Sequence, residues 1–140
     1  MDHPLIDIGL NLTNPKYANR LVEVLENANR ANISHILITG TNIYKSKNAI
    51  ALAKRYPPCN SPILKTTFGV HPHDAKSAAD TEKLKKEIIN AVQNNPDVIK
   101  AVGECGLDFN RMFSPKDIQL KVNFVSHLNL IEFLIRFFQA

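Results

Sequence analysis

Four short apolar runs recur along the chain, and each is followed by a stretch whose apolar residues return at helical spacing. Residues 5–10 (Leu-Ile-Asp-Ile-Gly-Leu), His35–Thr39, Leu64–Val70 and the run from Ile99 to Glu104 read as strands. Asn14 as N-cap and Pro15 at the first helical position open a helix, along which Leu21, Val24, Leu25, Ala28 and Ala31 form one buried stripe. The turn Gly40 to Asn42 leads into a second helix that reaches Tyr56 and stops at Pro57-Pro58. Asp80 caps a third, with Leu84, Ile88, Ala91 and Val92 on one face and Pro96 after its end, and Ser114-Pro115-Lys116-Asp117 starts a fourth that takes the rest of the chain. The spacings are short enough for right-handed parallel crossovers, in which a helix supplies the dozen or more residues that join neighbouring parallel strands. The predicted class is α/β: four parallel β/α units in a single domain of 140 residues, enough chain to bury a core.

In β/α architectures the carboxyl ends of the strands carry the active site, and here three of those ends hold Asn11, His71 and Glu104. Alternation along the last strand predicts Val102 and Glu104 on one face and Gly103 and Cys105 on the other. Gly106 lets the chain turn away, and Asp108 adds a second carboxylate of the kind a hard cation needs. His71-Pro72-His73-Asp74 sits just past the third strand, where residues two apart can converge on one ion or one phosphate. Plainer readings stand beside these. Glu104 could cap or salt-bridge a strand end, and the histidines could serve only to hydrogen-bond their turn or cap the next helix.

The formal charge of +4 is compatible with a polyanionic substrate without demonstrating one, and Lys45, Lys47, Lys54, Arg55, Lys83, Lys85 and Lys86 all fall on helices whose solvated faces explain them equally well. With two cysteines, Cys59 and Cys105, and no apolar segment after Met1-Asp2-His3-Pro4, neither a disulfide framework nor a signal peptide is expected, and a reducing cytoplasm is the expected location. Cys105 has no histidine near it in sequence and reads as packing, not as a nucleophile.

Together, Leu5–Thr13, Ile36–Thr41, Gly69-Val-His-Pro-His-Asp74 and Gly103-Glu-Cys-Gly-Leu-Asp-Phe-Asn110 resemble, in order and spacing, the first four strand ends of the TatD-type metal-dependent deoxyribonucleases, a branch of the amidohydrolase-like TIM barrels. The resemblance implies hydrolysis of phosphodiester bonds in DNA with a divalent metal ion, magnesium foremost and manganese or zinc as alternatives. It implies Glu104 and Asp108 as catalytic carboxylates, Glu104, His71 and His73 as metal ligands, and Asn11 and Arg111 as substrate contacts, with pairing to Asp108 the plainer role for Arg111. Many members of the family carry His-x-His at the end of the first strand; here Gly9 and Asn11 stand there.

A complete barrel has eight strands and typically ~250 residues. Four β/α units therefore imply a half-barrel, with residues 1–121 as the N-terminal half, lacking the histidines and aspartate that the later strands contribute in that family. Residues 122–140 look like a divergent apolar helix where a chain ended early or shifted frame, Phe124, Leu128, Ile131, Ile135 and Phe138 on one face with Phe133, Leu134 and Phe137 beside it. His127 lies mid-helix and is not expected to be a ligand. The expectation is an inactive chain, or a non-catalytic half-barrel that self-associates or binds another polypeptide. Membrane association is not expected, since Asn123, Glu132 and Arg136 interrupt a segment too short to span.

Overall fold

The structure, a computed structural model, describes residues 3–56 and 61–138, with side chains through Asn129. Pro57-Pro58, Cys59 and the side chains from Ile131 to Phe138 invoked for the apolar helix face lie outside the described residues. Four strands, β1 (Leu5–Leu10), β2 (Ile33–Ile38), β3 (Ile63–Phe68) and β4 (Ile99–Val102), form one parallel sheet in chain order. The connecting helices are α1 (Leu21–Arg30), α2 (Ile43–Arg55) and α3 (Thr81–Asn94), and α4 (Lys116–Phe138) follows β4. Register is set by pairs such as Ile36 with Leu64 and Phe68 with Val102.

Alternation decides which side is buried. Leu64, Thr66 and Phe68 on β3 point into the core while Ile63, Lys65 and Thr67 remain half-exposed on the other face. Two clusters fill the helical side. Leu21, Leu25, Ile36, Ile38, Ala49 and Leu64 join α1 and α2 to the first strands, and Phe68, Val70, Leu84, Ile88, Ile99 and Val122 join α3 and α4 to the last. The stripes expected on α1 and α3 are thus the ones that pack, apart from Ala31, which is the exposed C-cap of α1. β1 lies at the edge and exposes Leu5, Ile6 and Ile8, the last at 76 %.

Several boundaries differ from those expected. Asn14 does accept a hydrogen bond from Lys16 N–H, but it caps a single 3-10 turn, Pro15–Tyr17, and the α-helix begins only at Leu21, because Arg20 leaves helical geometry (φ −127°, ψ 11°). β3 stops at Phe68 and β4 at Val102, so His71 and Glu104 stand on the loops just beyond the sheet. The alternation expected to carry Val102 and Glu104 on one face ends with the ladder: Val102 is buried, whereas the Glu104 side chain is 45 % exposed. On α4 the described residues bury Gln119, Val122, Ser126 and Asn129, and expose Phe124 and Leu128. Among the described residues no helix is long and apolar enough to cross a membrane.

Candidate active site at the carboxyl ends of the strands

Three loops are drawn together by backbone hydrogen bonds at the carboxyl ends of β2, β3 and β4. Gly103 N–H donates to Phe68 C=O and Glu104 N–H to Gly40 C=O, both at 2.9 Å, and His71 N–H donates to Thr41 C=O at 2.9 Å. Glu104 reaches past β3 to Gly40 because Gly69 has no side chain: a Cβ there would lie 2.3 Å from the Gly103 carbonyl carbon. Thr67 Oγ1 accepts from Gly40 N–H at 2.9 Å, and Asn42, the N-cap of α2, donates through Nδ2 to Asp74 at 2.9 Å. The turn residues thereby position a cleft of about 450 Å³, lined by Asn11, Thr41, Lys45, His71, His73, Asp74 and Glu104.

The candidate residues fall into two groups. In the cleft, His71 Nε2 lies 3.9 Å from Glu104 Oε1 and the two histidine rings meet edge to face at 4.3 Å. His71 Nδ1 accepts from His73 N–H at 3.1 Å, so a neutral His71 carries its proton on Nε2, toward Glu104. Beside the cleft, Asp108 Oδ2 meets His73 Nε2 at 2.6 Å; a carboxylate only accepts, so a neutral His73 carries its proton on Nε2 and has its lone pair on Nδ1. Arg111 has its guanidinium largely in solvent with Nε 3.7 Å from Asp108 Oδ2, the pairing that competed with a substrate contact in the sequence reading. His127 stands exposed on α4, its Nδ1 2.8 Å from Asn123 C=O.

Asp108 also organises its own loop, Oδ1 accepting from Arg111 N–H at 3.0 Å and Asn110 N–H at 3.1 Å. The Arg111 N–H first and the His73 ring second hold the Asp108 carboxyl down to about 2. A carboxyl lowered in the folded state stabilises the fold above its unfolded value of about 3.9 and loses that contribution as pH falls toward the folded value. Urea unfolding midpoints between about pH 4 and pH 2 should therefore fall more steeply for the parent chain than for Asp108→Asn. Parallel curves would remove Asp108 as the source. The Cys105 thiol is pushed up by burial and then by the Glu104 charge, which keeps it protonated and opposes a nucleophilic role.

Sequence reasoning passed over the residues that hold this loop in place. Gln119 is fully buried; its Oε1 accepts from Asp108 N–H at 2.8 Å, and its Nε2 donates to Asp108 C=O at 3.1 Å and Ser114 C=O at 2.7 Å. Ser114 opens the segment in which the last helix starts, as expected, and its hydroxyl donates through Oγ to His73 C=O at 2.9 Å and accepts from Lys76 N–H at 3.0 Å. It is buried against the loop after β3, which satisfies both of its roles there. A glutamine in the first turn of a helix reads locally as a polar surface position, so only the folded contacts reveal it. Thr41 and Lys45 were likewise brought to the cleft by the start of α2.

As a metal centre the cleft is incomplete within the described residues: no three His, Cys, Asp or Glu side chains converge to hold an ion. Glu104 fits one position of a coordination shell, being half-exposed in the cleft with His71 beside it. Asn11 and the free Nδ1 of His73 belong to residues lining the same cleft.

Residues 6–132 match the family model described as TatD related DNase. Among curated relatives, a protein of Salmonella typhimurium named 3'-5' ssDNA/RNA exonuclease TatD is 44 % identical over 110 residues, covering 79 % of this chain and 39 % of its own length. A protein of the same name from Escherichia fergusonii is 40 % identical over 126 residues, covering 90 % of this chain and 45 % of its own. The crystal structure of a TatD family hydrolase from Entamoeba histolytica superposes with a TM-score of 0.81 at 32 % identity, over 91 % of this chain and 46 % of the other. The chain thus spans less than half the length of these relatives, and its four-stranded parallel sheet with alternating helices has the architecture of half of such a barrel.

Proposed function

The chain belongs to the TatD related DNase family, and we propose that these 140 residues supply one half of a barrel hydrolase site that cuts phosphodiester bonds in single-stranded nucleic acid with a bound divalent cation. The observation that carries this reading is the half-exposed Glu104 carboxylate facing His71 in one cleft, at the ends of strands contributed by separate β/α units. Glu104, with Asn11 and the Nδ1 of His73, would hold the cation, and oxygen donors favour magnesium or manganese over zinc. Bound there, such an ion supplies positive charge for the phosphoryl oxygens and lowers the pKa of a water. The Nε2–H of His71 and the ammonium of Lys45 are donors for a phosphate in the same cleft. The remaining ligands would come from outside these residues. The names of the relatives extend the expected substrate from DNA to single-stranded DNA or RNA.

The test is a chimera in which the matching part of the Salmonella typhimurium relative is replaced by this chain. The chimera is expected to shorten a 5'-labelled single strand from its 3' end, with chelator abolishing the activity, while the 140-residue chain alone stays at background. A folded chimera without cleavage would sink the hydrolase reading, and dilution-independent cleavage by the short chain would sink the half-site reading. The exposed Leu5, Ile6 and Ile8 of edge strand β1 favour a second reading, a half-barrel that pairs with another copy. Light scattering across the same dilution series should then give a mass that rises with concentration, and a monodisperse monomer would exclude it.

A further inference from the structure

We infer that the loop from Leu107 to Phe113 is a base-stacking platform for a single nucleic-acid strand entering the Glu104 cleft, an inference that rests on the nucleic-acid reading of that cleft. Four large apolar side chains, Leu107, Phe109, Met112 and Phe113, are exposed within these seven residues, Phe109 at 42 % and Phe113 at 57 %. This exposure is held in place. Asp108 fixes the turn through the Asn110 and Arg111 N–H groups, and the Gln119 amide clamps both backbone groups of Asp108. Met112 has φ 51°, in the left-handed region that costs a non-glycine residue free energy. A well-anchored loop that keeps aromatic rings in water has a surface suited to a flat partner.

The rings also stand in the right place. Phe113 packs edge to face on His73 with centroids 4.7 Å apart, and His73 packs on His71 at 4.3 Å, both histidines lining the cleft with Glu104. Lys116 Nζ lies 4.7 Å above the Phe109 ring, and Arg111, which falls between the two phenylalanines in sequence, has its side chain 63 % exposed. Rings interleaved with cations match a strand that alternates bases and phosphates, since every base offers a π-face and every linkage a negative charge. A purely apolar protein surface docking here would strip water from the Lys116 ammonium and the exposed Arg111 guanidinium and offer neither a new charge partner.

Fluorescence anisotropy of a labelled oligothymidylate of about eight nucleotides, with chelator present so that nothing is cleaved, tests the platform. Phe113→Leu should weaken binding on the order of 10-fold, while Phe113→Tyr should bind as the parent does. An abasic strand of equal length and charge should bind the parent about as weakly as the intact strand binds Phe113→Leu. Because the chain has no tryptophan, Phe113→Trp provides a single fluorophore whose emission the intact strand should quench and the abasic strand should not. Parental affinity in Phe113→Leu, equal affinity for the abasic strand, or no binding by the parent would each overturn the proposal. Since no cleavage is read, stacking with an inactive chimera would overturn the hydrolase reading alone, and cleavage without stacking would overturn this one alone.

Discussion

Replacing Glu104 by glutamine in the barrel chimera is expected to lower cleavage of single-stranded DNA by at least about 100-fold with either magnesium or manganese, the loss typical of removing one electrostatic contact to the reacting centre. Glutamine keeps the length and shape of the side chain and one oxygen acceptor, but not the charge that would hold a divalent cation. The fold should be indifferent to the change. The Glu104 side chain is half-exposed, and His71 Nε2 stands 3.9 Å from its Oε1, beyond hydrogen-bonding distance. What anchors residue 104 is its backbone N–H on Gly40 C=O, which glutamine retains. A thermal midpoint unchanged by circular dichroism, together with lost cleavage, is therefore the expected pair of results. Near-normal cleavage would remove Glu104 from the chemistry.

The second large effect is on folding. In Gly69→Ala the new Cβ would stand 2.3 Å from the carbonyl carbon of Gly103 and 2.6 Å from its Cα and oxygen, all backbone atoms with no rotamer to escape into. The ends of β3 and β4 must separate. That strains the bonds from Gly103 N–H to Phe68 C=O and from Glu104 N–H to Gly40 C=O. Overpacking costs about 1–3 kcal/mol and each hydrogen bond about 1 kcal/mol, so a loss of ~3 kcal/mol or more is expected, a large part of the stability of a small domain. Gly9→Ala is the matched control, since its Cβ would have nothing within 4 Å. It should shift stability by no more than about 0.5 kcal/mol. Equal urea midpoints for the two variants would show that the close approach at Gly69 has no energetic consequence.

Those two glycines illustrate what was and was not legible. Both stand in the motifs that resemble the family, and nothing in their local sequence separates a crowded glycine from an open one. The order of elements was legible, because apolar periodicity reports which face of each helix and strand is buried, and Leu25, Leu84, Ile88 and Phe68 are indeed in the core. Capping by Asp80 was also local, a side-chain oxygen accepting from the N–H three residues on, and the structure shows the same geometry at Asn42, which the sequence reading had taken only as the end of a turn. The start of α1 was misplaced because Asn14 and Pro15 carry the same signal whether the turn after them continues or stops.

The candidate residues Asn11, His71, His73 and Glu104 were legible as strand-end residues, and tertiary structure sorted which of them touch. It joined His73 to Asp108 and turned the Nε2 of His71 toward Glu104, pairings between residues 33 or more positions apart that no local pattern encodes. It also enlisted Gln119, whose amide is spent on backbone atoms of the loop that precedes its own helix, and Ser114, whose hydroxyl bonds the backbone of the loop after β3, 41 positions away. The sequence by itself determined the parallel β/α architecture, the buried faces and the placement of carboxylate and imidazoles at the strand ends, since each follows from periodicity and turn chemistry acting over a few residues. Only the tertiary structure decided where the strands stop, which imidazole faces which carboxylate and which loop keeps its aromatic rings in water. Those depend on how closely two backbones can approach, as at Gly69 and Gly103, and on which buried donor finds which acceptor, and both are properties of chain segments that meet only after folding.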